Sequence, residues 1–131
     1  MTRYWDTSAL IDALYHPEVE KKALEPGQFT RAHALAEAFS TLTGGRLGHR
    51  LLADDAAALI DNLTADFDFI ELSSDETKRA LHQAKRRGVR GGRIHDWLHA
   101  VAAKKSGAKE LVTDNFSDFE GLEDGFKLVA P

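Results

Sequence analysis

Apolar positions recur along the chain in two rhythms. Between Gly91 and Gly107, the residues Ile94, Trp97, Leu98, Val101, Ala102 and Lys105 fall at helical spacing and predict one buried face. A second stripe, Ala32, Leu35, Ala36, Phe39 and Leu42, ends at the Gly44–Gly45 pair, and Thr30 before it is read as a helix cap. Asp54 or Asp55 opens a third helix, DDAAALIDNLTADF. Ser73 and Glu76 form a capping box for SDETKRALHQAKRRG, with Gly88 as its stop. A short helix from about Ser8 to Tyr15 is stopped by Pro17, and EPGQ is a loop. The other rhythm is short and dense. TRYWD, FDFIEL, ELVTD and FKLVA are rich in branched and aromatic residues and read as strands, with a turn of helix near NFSDF.

Strands alternating with helices predict parallel pairing and right-handed crossovers. The expected fold is α/β, a three-layer α/β/α sandwich around a central, mainly parallel sheet. At 131 residues, with no repeat or linker, the chain is expected to be one domain spanning 1–131. Its 43% hydrophobic and 29% charged residues are ordinary for a globular protein. No apolar run approaches the ~20 residues of a membrane span, and no basic-then-apolar leader opens the chain. The expectation is a cytoplasmic protein with no membrane contact. With no cysteine, disulfides, thiolate metal sites and thiol nucleophiles are excluded.

Net charge is −4, which by itself does not advertise nucleic-acid binding. Its distribution changes the picture, because Lys85, Arg86, Arg87, Arg90 and Arg93 form a basic run leading into Asp96. That run is either a solvated helix end or a phosphate-contacting surface.

Asp96 is the odd residue of its helix, sitting in the first turn beside the apolar stripe. In a parallel α/β sheet the working site lies beyond the carboxyl ends of the strands. Asp6 closes the first strand, Asp114 closes ELVTD with Asp118 four residues on, and Glu37 lies just off its helix's stripe. These carboxylates are placed to meet at one edge, where like charges raise one another's pKa unless a cation neutralises them. Oxygen ligands without cysteine suit Mg²⁺ or Mn²⁺. Each acid also has an ordinary role open to it. Asp6 is placed to cap a helix, Glu37 to face solvent, Asp96 to complement a helix dipole, and Asp114 and Asp118 to occupy turns.

In these residues the chain resembles the PIN-domain ribonucleases, especially the VapC-type toxins of bacterial toxin–antitoxin pairs. The resemblance is carried by WDTSALIDAL, HALAEAFSTLTG and IHDWLHAVAAKKSGAKELVTDNFSDF, in that order, and covers nearly the whole chain. It implies a small α/β/α fold and Mg²⁺-dependent endonuclease activity on RNA. It also implies an acidic set of Asp6, Glu37 and Asp96, with Asp118 favoured as the fourth acid and Asp114 contributing, while Asn115 stands in register. Thr7, Ser8 and Thr113 resemble the family's supporting polar residues. A cognate antitoxin whose tail occupies the groove, and a homodimer, are implied as well. On this reading Asp6 and Asp96 hold the principal Mg²⁺, and Glu37 and Asp118 complete the ligand set or bind a second ion. Arg86, Arg87, Arg90 and Arg93 would guide the RNA backbone. His33, His95 and His99 read as structural or surface residues, since this chemistry needs no imidazole.

The strand TRYW departs from the aliphatic run usual in the family. Arg3 and Tyr4 are expected to leave one side of it partly exposed or to mark an altered partner surface. Two other functions would also suit an acidic α/β chain of this length. A receiver-type signalling domain is also an acidic, Mg²⁺-binding α/β fold, but it would want adjacent acids after the first strand and a late lysine. A catalytically silent PIN-fold module that binds RNA or protein would not need the intact acids.

Overall fold

The computed structural model describes residues 1–131. Five strands form one sheet, all neighbours parallel, in the order β3-β2-β1-β4-β5. They are β1 (Arg3–Trp5), β2 (Gln28–Thr30), β3 (Asp68–Phe69), β4 (Glu110–Val112) and β5 (Lys127–Val129). Six α-helices connect them: α1 (Thr7–Tyr15), α2 (Pro17–Ala23), α3 (Ala32–Gly44), α4 (Ala53–Leu63), α5 (Ser74–Gln83) and α6 (Ile94–Ser106). No helix is long and apolar enough to cross a membrane.

The central strands are covered on both faces, so alternate residues enter different cores. Tyr4 and Leu111 pack with Trp97, Ala100 and Ala103 of α6 on one face. Trp5 and Val112 pack with Ala9, Leu10 and Ala13 of α1 and with Ala34 of α3 on the other. The result is the expected α/β/α sandwich. Tyr4 and Trp5 are both completely buried. An aromatic side chain removes ~150–250 Å² from water, roughly 4–6 kcal/mol of transfer free energy at ~25 cal/mol per Å². The exposed side expected for this strand is therefore absent. Arg3 is accommodated by carboxylates, 2.9 Å from Glu25 and 3.4 Å from Glu110.

Several local expectations are corrected. Thr30 does not cap a helix. It lies in β2, and Arg31 precedes α3 without a capping side chain. The strand was hidden because Gln28 and Thr30 are polar yet buried, each satisfied internally: Trp5 Nε1 donates to Gln28, and Thr30 Oγ1 donates to the Trp5 carbonyl. Pro17 starts a helix as well as ending one, because its missing N–H costs nothing in a first turn. The α3 face is rotated from the expected stripe: Ala34, Ala38 and Leu42 are buried, while Ala32, Ala36 and Phe39 are exposed. FDFIEL contributes only two strand residues. Asp54 and Asp55 sit in the first turn of α4 rather than at its cap. The Ser73–Glu76 capping box occurs as expected, but the α-helix ends at Gln83 and a 3₁₀ turn, Ala84–Arg87, leads to the left-handed Gly88 stop.

Candidate active site

The chain leaves β1 outward through β2 to β3 and then returns to lay β4 on the opposite side of β1. This reversal opens a crevice at the carboxyl ends of β1 and β4, where sheets of this type receive ligands. Asp6 and Thr113 are the first residues beyond those two strands. The Thr113 hydroxyl donates to Asp6 Oδ2 at 2.6 Å, while Oδ1 accepts the Ser8 hydroxyl at 2.8 Å and the Ala9 amide at 2.9 Å. Asp6 thus caps α1 and belongs to the crevice at once. Burial pushes its pKa up, and His99 together with the three hydrogen bonds pulls it back.

A cleft of about 650 Å³ opens here, and Asp6, Glu37, Asp96 and Asp118 all line it. Glu37 projects from α3. Its Oε1 accepts the Thr7 hydroxyl at 3.0 Å, lies 3.3 Å from His99 Nε2 and 3.9 Å from His33 Nε2. The hydrogen bond to His99 is the main reason its pKa falls to about 2, against the opposing effect of burial. Asp96, in the first turn of α6, behaves oppositely: burial, then the charges of Asp118 and Asp6, raise it to about 6.

Asp118 reaches the cleft from a single 3₁₀ turn, Phe116–Phe119, and Asn115 lines it too. Asp114 does not. Its carboxylate lies against that of Asp12, whose pKa rises through burial and then this neighbour. The backbone amide of Asp114 donates to Ser8 Oγ at 3.0 Å, and that of Asn115 to Thr113 Oγ1 at 3.0 Å. Thr7, Ser8 and Thr113 therefore each touch a cleft carboxylate directly.

The donors suit a hard divalent cation, being carboxylate oxygens with no thiolate among them. The pKa of Asp96 is raised by burial first and then by the negative charges of Asp118 and Asp6, which such an ion would neutralise. No three carboxylate or imidazole side chains close on a common point. Asp6 and one oxygen of Glu37 are instead turned toward protein donors.

Three histidines that the sequence places outside the site line it. His99 is buried, with Nδ1 2.8 Å from the Tyr4 hydroxyl and Nε2 facing Glu37. Its position three residues after Asp96, one helical turn, was the available signal. His33 and His95 are exposed and stack at 5.9 Å on the cleft rim.

The basic run lies elsewhere. Arg86 and Arg87 join Arg79 and Lys104 in a groove of about 810 Å³ lined also by Trp97 and Val101. Trp97 and Val101 lie on one face of α6, and Asp96 and His99 lie on the other. Arg87 stacks 5.0 Å above the Trp97 ring and pairs with Asp124 at 3.3 Å, while Arg93 donates to the Glu120 carbonyl.

The family model of the PIN domain matches residues 3–121. Among solved structures, the chain is similar to PAE2754 from Pyrobaculum aerophilum, with 18% identity and a TM-score of 0.73, over 99% of this chain and 89% of that one. It is also similar to VapBC2 from Rickettsia felis, solved bound to a DNA fragment from their promoter, with 19% identity and a TM-score of 0.66, over 99% of this chain and 98% of that one. No curated protein matches the chain.

Proposed function

The chain belongs to the PIN domain family, and from that premise we propose that it is a metal-dependent endoribonuclease, the toxin of a toxin–antitoxin pair, hydrolysing RNA phosphodiester bonds in the acidic cleft. One observation carries the reading: four carboxylates, from the end of β1, from α3, from α6 and from the turn after β4, line a single crevice. Asp6 and Asp96 would hold Mg²⁺, with Mn²⁺ as an alternative, and Glu37 and Asp118 would complete the ligand set or carry a second ion. Asp118 is the fourth acid in this proposal, in preference to Asp114, which faces Asp12. A bound divalent cation polarises the phosphoryl oxygen and lowers the pKa of a coordinated water. The chain's own part is orientation. Ser8 and Thr113 fix the two oxygens of Asp6, and Thr7 fixes one oxygen of Glu37.

RNA binding is assigned to the basic segment. Between Thr77 and His95 there are seven Lys and Arg residues and no carboxylate, in a chain of net charge −4. Such a surface contacts phosphates without reading sequence. Arg86 and Arg90 are among its unpaired cations, whereas Arg87 and Arg93 are held by protein partners. The likeness to VapBC2 and the sequence resemblance support a cognate antitoxin as protein partner, and the resemblance alone implies a homodimer.

The test is direct. Purified protein is incubated with end-labelled single-stranded RNA in Mg²⁺, in Mn²⁺ and in EDTA. Internal cleavage that needs metal and disappears in Asp6→Asn is expected. In cells, expression alone should arrest growth, and co-expression of the neighbouring reading frame should relieve it. RNA retention with no cleavage in either metal would replace this reading with that of a silent binding module.

A further inference from the structure

The contacts of Glu37 are one-sided. Thr7, His99 and His33 all approach Oε1, and no hydrogen bond falls on Oε2. Behind them stands a buried chain of polar groups running from the sheet to the cleft. Tyr4, fully buried in β1, has its hydroxyl 2.8 Å from His99 Nδ1, and the two rings meet edge-on with centroids 5.8 Å apart. The His99 side chain is only 5% exposed, so solvent does not compete for its nitrogens.

The tautomer follows from the partners. A phenol is an O–H donor at neutral pH, and the fully buried Tyr4 hydroxyl has His99 Nδ1 as its partner. A tyrosine that donates leaves Nδ1 as acceptor and places the ring proton on Nε2. The Nε2–H then points at a carboxylate that can only accept. Every group in the chain is used once in its proper sense, which is how a buried polar network holds a single geometry.

We propose that His99 is a positioning residue for the cleft: oriented by Tyr4, it clamps Oε1 of Glu37 together with Thr7, so that Oε2 is the oxygen presented to cation and substrate. The inference rests on the acids being a divalent-cation site, as argued above. It assigns a task to a histidine that a purely oxygen-ligand chemistry does not require. It also accounts for a hydroxyl carried into the interior by the fully buried Tyr4. Groups that orient ligands in this way typically change metal affinity by roughly 10–100-fold when removed.

The experiment measures Mn²⁺ binding by titration calorimetry on the folded, metal-stripped protein, with thermal melts as the control for folding. His99→Leu should weaken Mn²⁺ binding about 10-fold. His99→Gln, whose amide N–H stands near the position of Nε2, should recover most of that loss. Tyr4→Phe should weaken binding by a smaller factor, because the imidazole keeps its place while its tautomer is no longer fixed. In a double-mutant cycle, His99→Leu should add little to Glu37→Gln, since both remove the same ligand oxygen. If His99→Leu does not fold, His99→Gln and Tyr4→Phe carry the cycle against Glu37→Gln. Folded variants that bind Mn²⁺ as wild type does, or effects that simply add to that of Glu37→Gln, would overturn the proposal and leave the cation site standing. Wild-type protein that binds no Mn²⁺ would overturn both.

Discussion

Thr113 donates a 2.6 Å hydrogen bond to Asp6 across the seam between β1 and β4, joining residues 107 positions apart in the chain. The bond has two consequences. It satisfies an oxygen of a buried carboxylate, and it locks together the two strand ends that form the cleft floor. Thr113→Val keeps the shape and removes the donor. A hydrogen bond to a charged group contributes ~1.5–3 kcal/mol, and urea unfolding at pH 7 should show a loss in that range. A change below about 0.5 kcal/mol, within the range of neutral surface substitutions, would mean that Ser8 and Ala9 alone suffice.

Asp96 gives stability a definite dependence on pH. Its folded pKa of about 6 lies above the ordinary 3.8, so the folded state holds this proton more tightly than the unfolded chain. The contribution is therefore favourable at low pH and is lost as pH rises through about 6. Glu37, lowered to about 2, acts in the reverse sense, which is why the useful comparison is between wild type and Asp96→Asn. In EDTA at pH 7 the asparagine variant should be more stable by about 1 kcal/mol, the shift being discounted for a half-exposed group. Near pH 4 the advantage should vanish. If Asp96 only complements the helix dipole, the substitution should instead cost roughly 0.3–1 kcal/mol.

Metal should act on the same residues. A ligand that binds only the folded state at 100 times its Kd adds ~2.7 kcal/mol. For a chain of this size that is about 10 °C in Tm. Differential scanning calorimetry with Mn²⁺ should show such a rise for wild type and much less for Asp96→Asn. Equal rises in both would remove Asp96 from the ligand set.

The basic segment divides into two kinds of arginine. Arg86→Ala with Arg90→Ala should weaken RNA binding alike across sequences and, on single-stranded RNA, flatten the log–log salt slope by about 1.4. Stability should be unchanged. Arg87→Ala should lower Tm as well, because it stacks on Trp97 and pairs with Asp124. Filter binding over a salt series, beside melts of each variant, separates the two. An unchanged slope for the double variant would identify the segment as a solvated surface.

The elements legible in the sequence were those with local signals. The Ser73–Glu76 box and the Gly88 stop are written within a few residues, and both formed; α6 formed as well, but its buried face takes in His99, Ala100 and Ala103 and leaves Lys105 exposed. β2 was not legible, because its polar residues are satisfied by Trp5 and Pro26, which no local pattern reveals. The α3 face was misjudged for a related reason. Alanines fill both sides of that helix, and only the neighbours α1 and α4 decide which side is buried. At the cleft, acids at strand ends could be read from the chain, since sheet topology dictates where those ends meet. The separation of Asp114 from Asp118 depends on one 3₁₀ turn, and the Tyr4–His99–Glu37 chain on packing between a strand and two helices. Neither leaves a periodic trace.

The strand order also sets a schedule. β1 is made first, yet it lies at the centre of the sheet, and its neighbour β4 is the fourth strand to be made. During synthesis at ~5–20 residues per second, β1 has β2 for company within seconds but waits for residues 110–112 before its other edge is paired. Asp6 waits equally long for Thr113, and α6 brings Asp96 only just before that. A nascent chain therefore carries no assembled cleft until residues 110–118 have left the ribosome, whatever has folded before them.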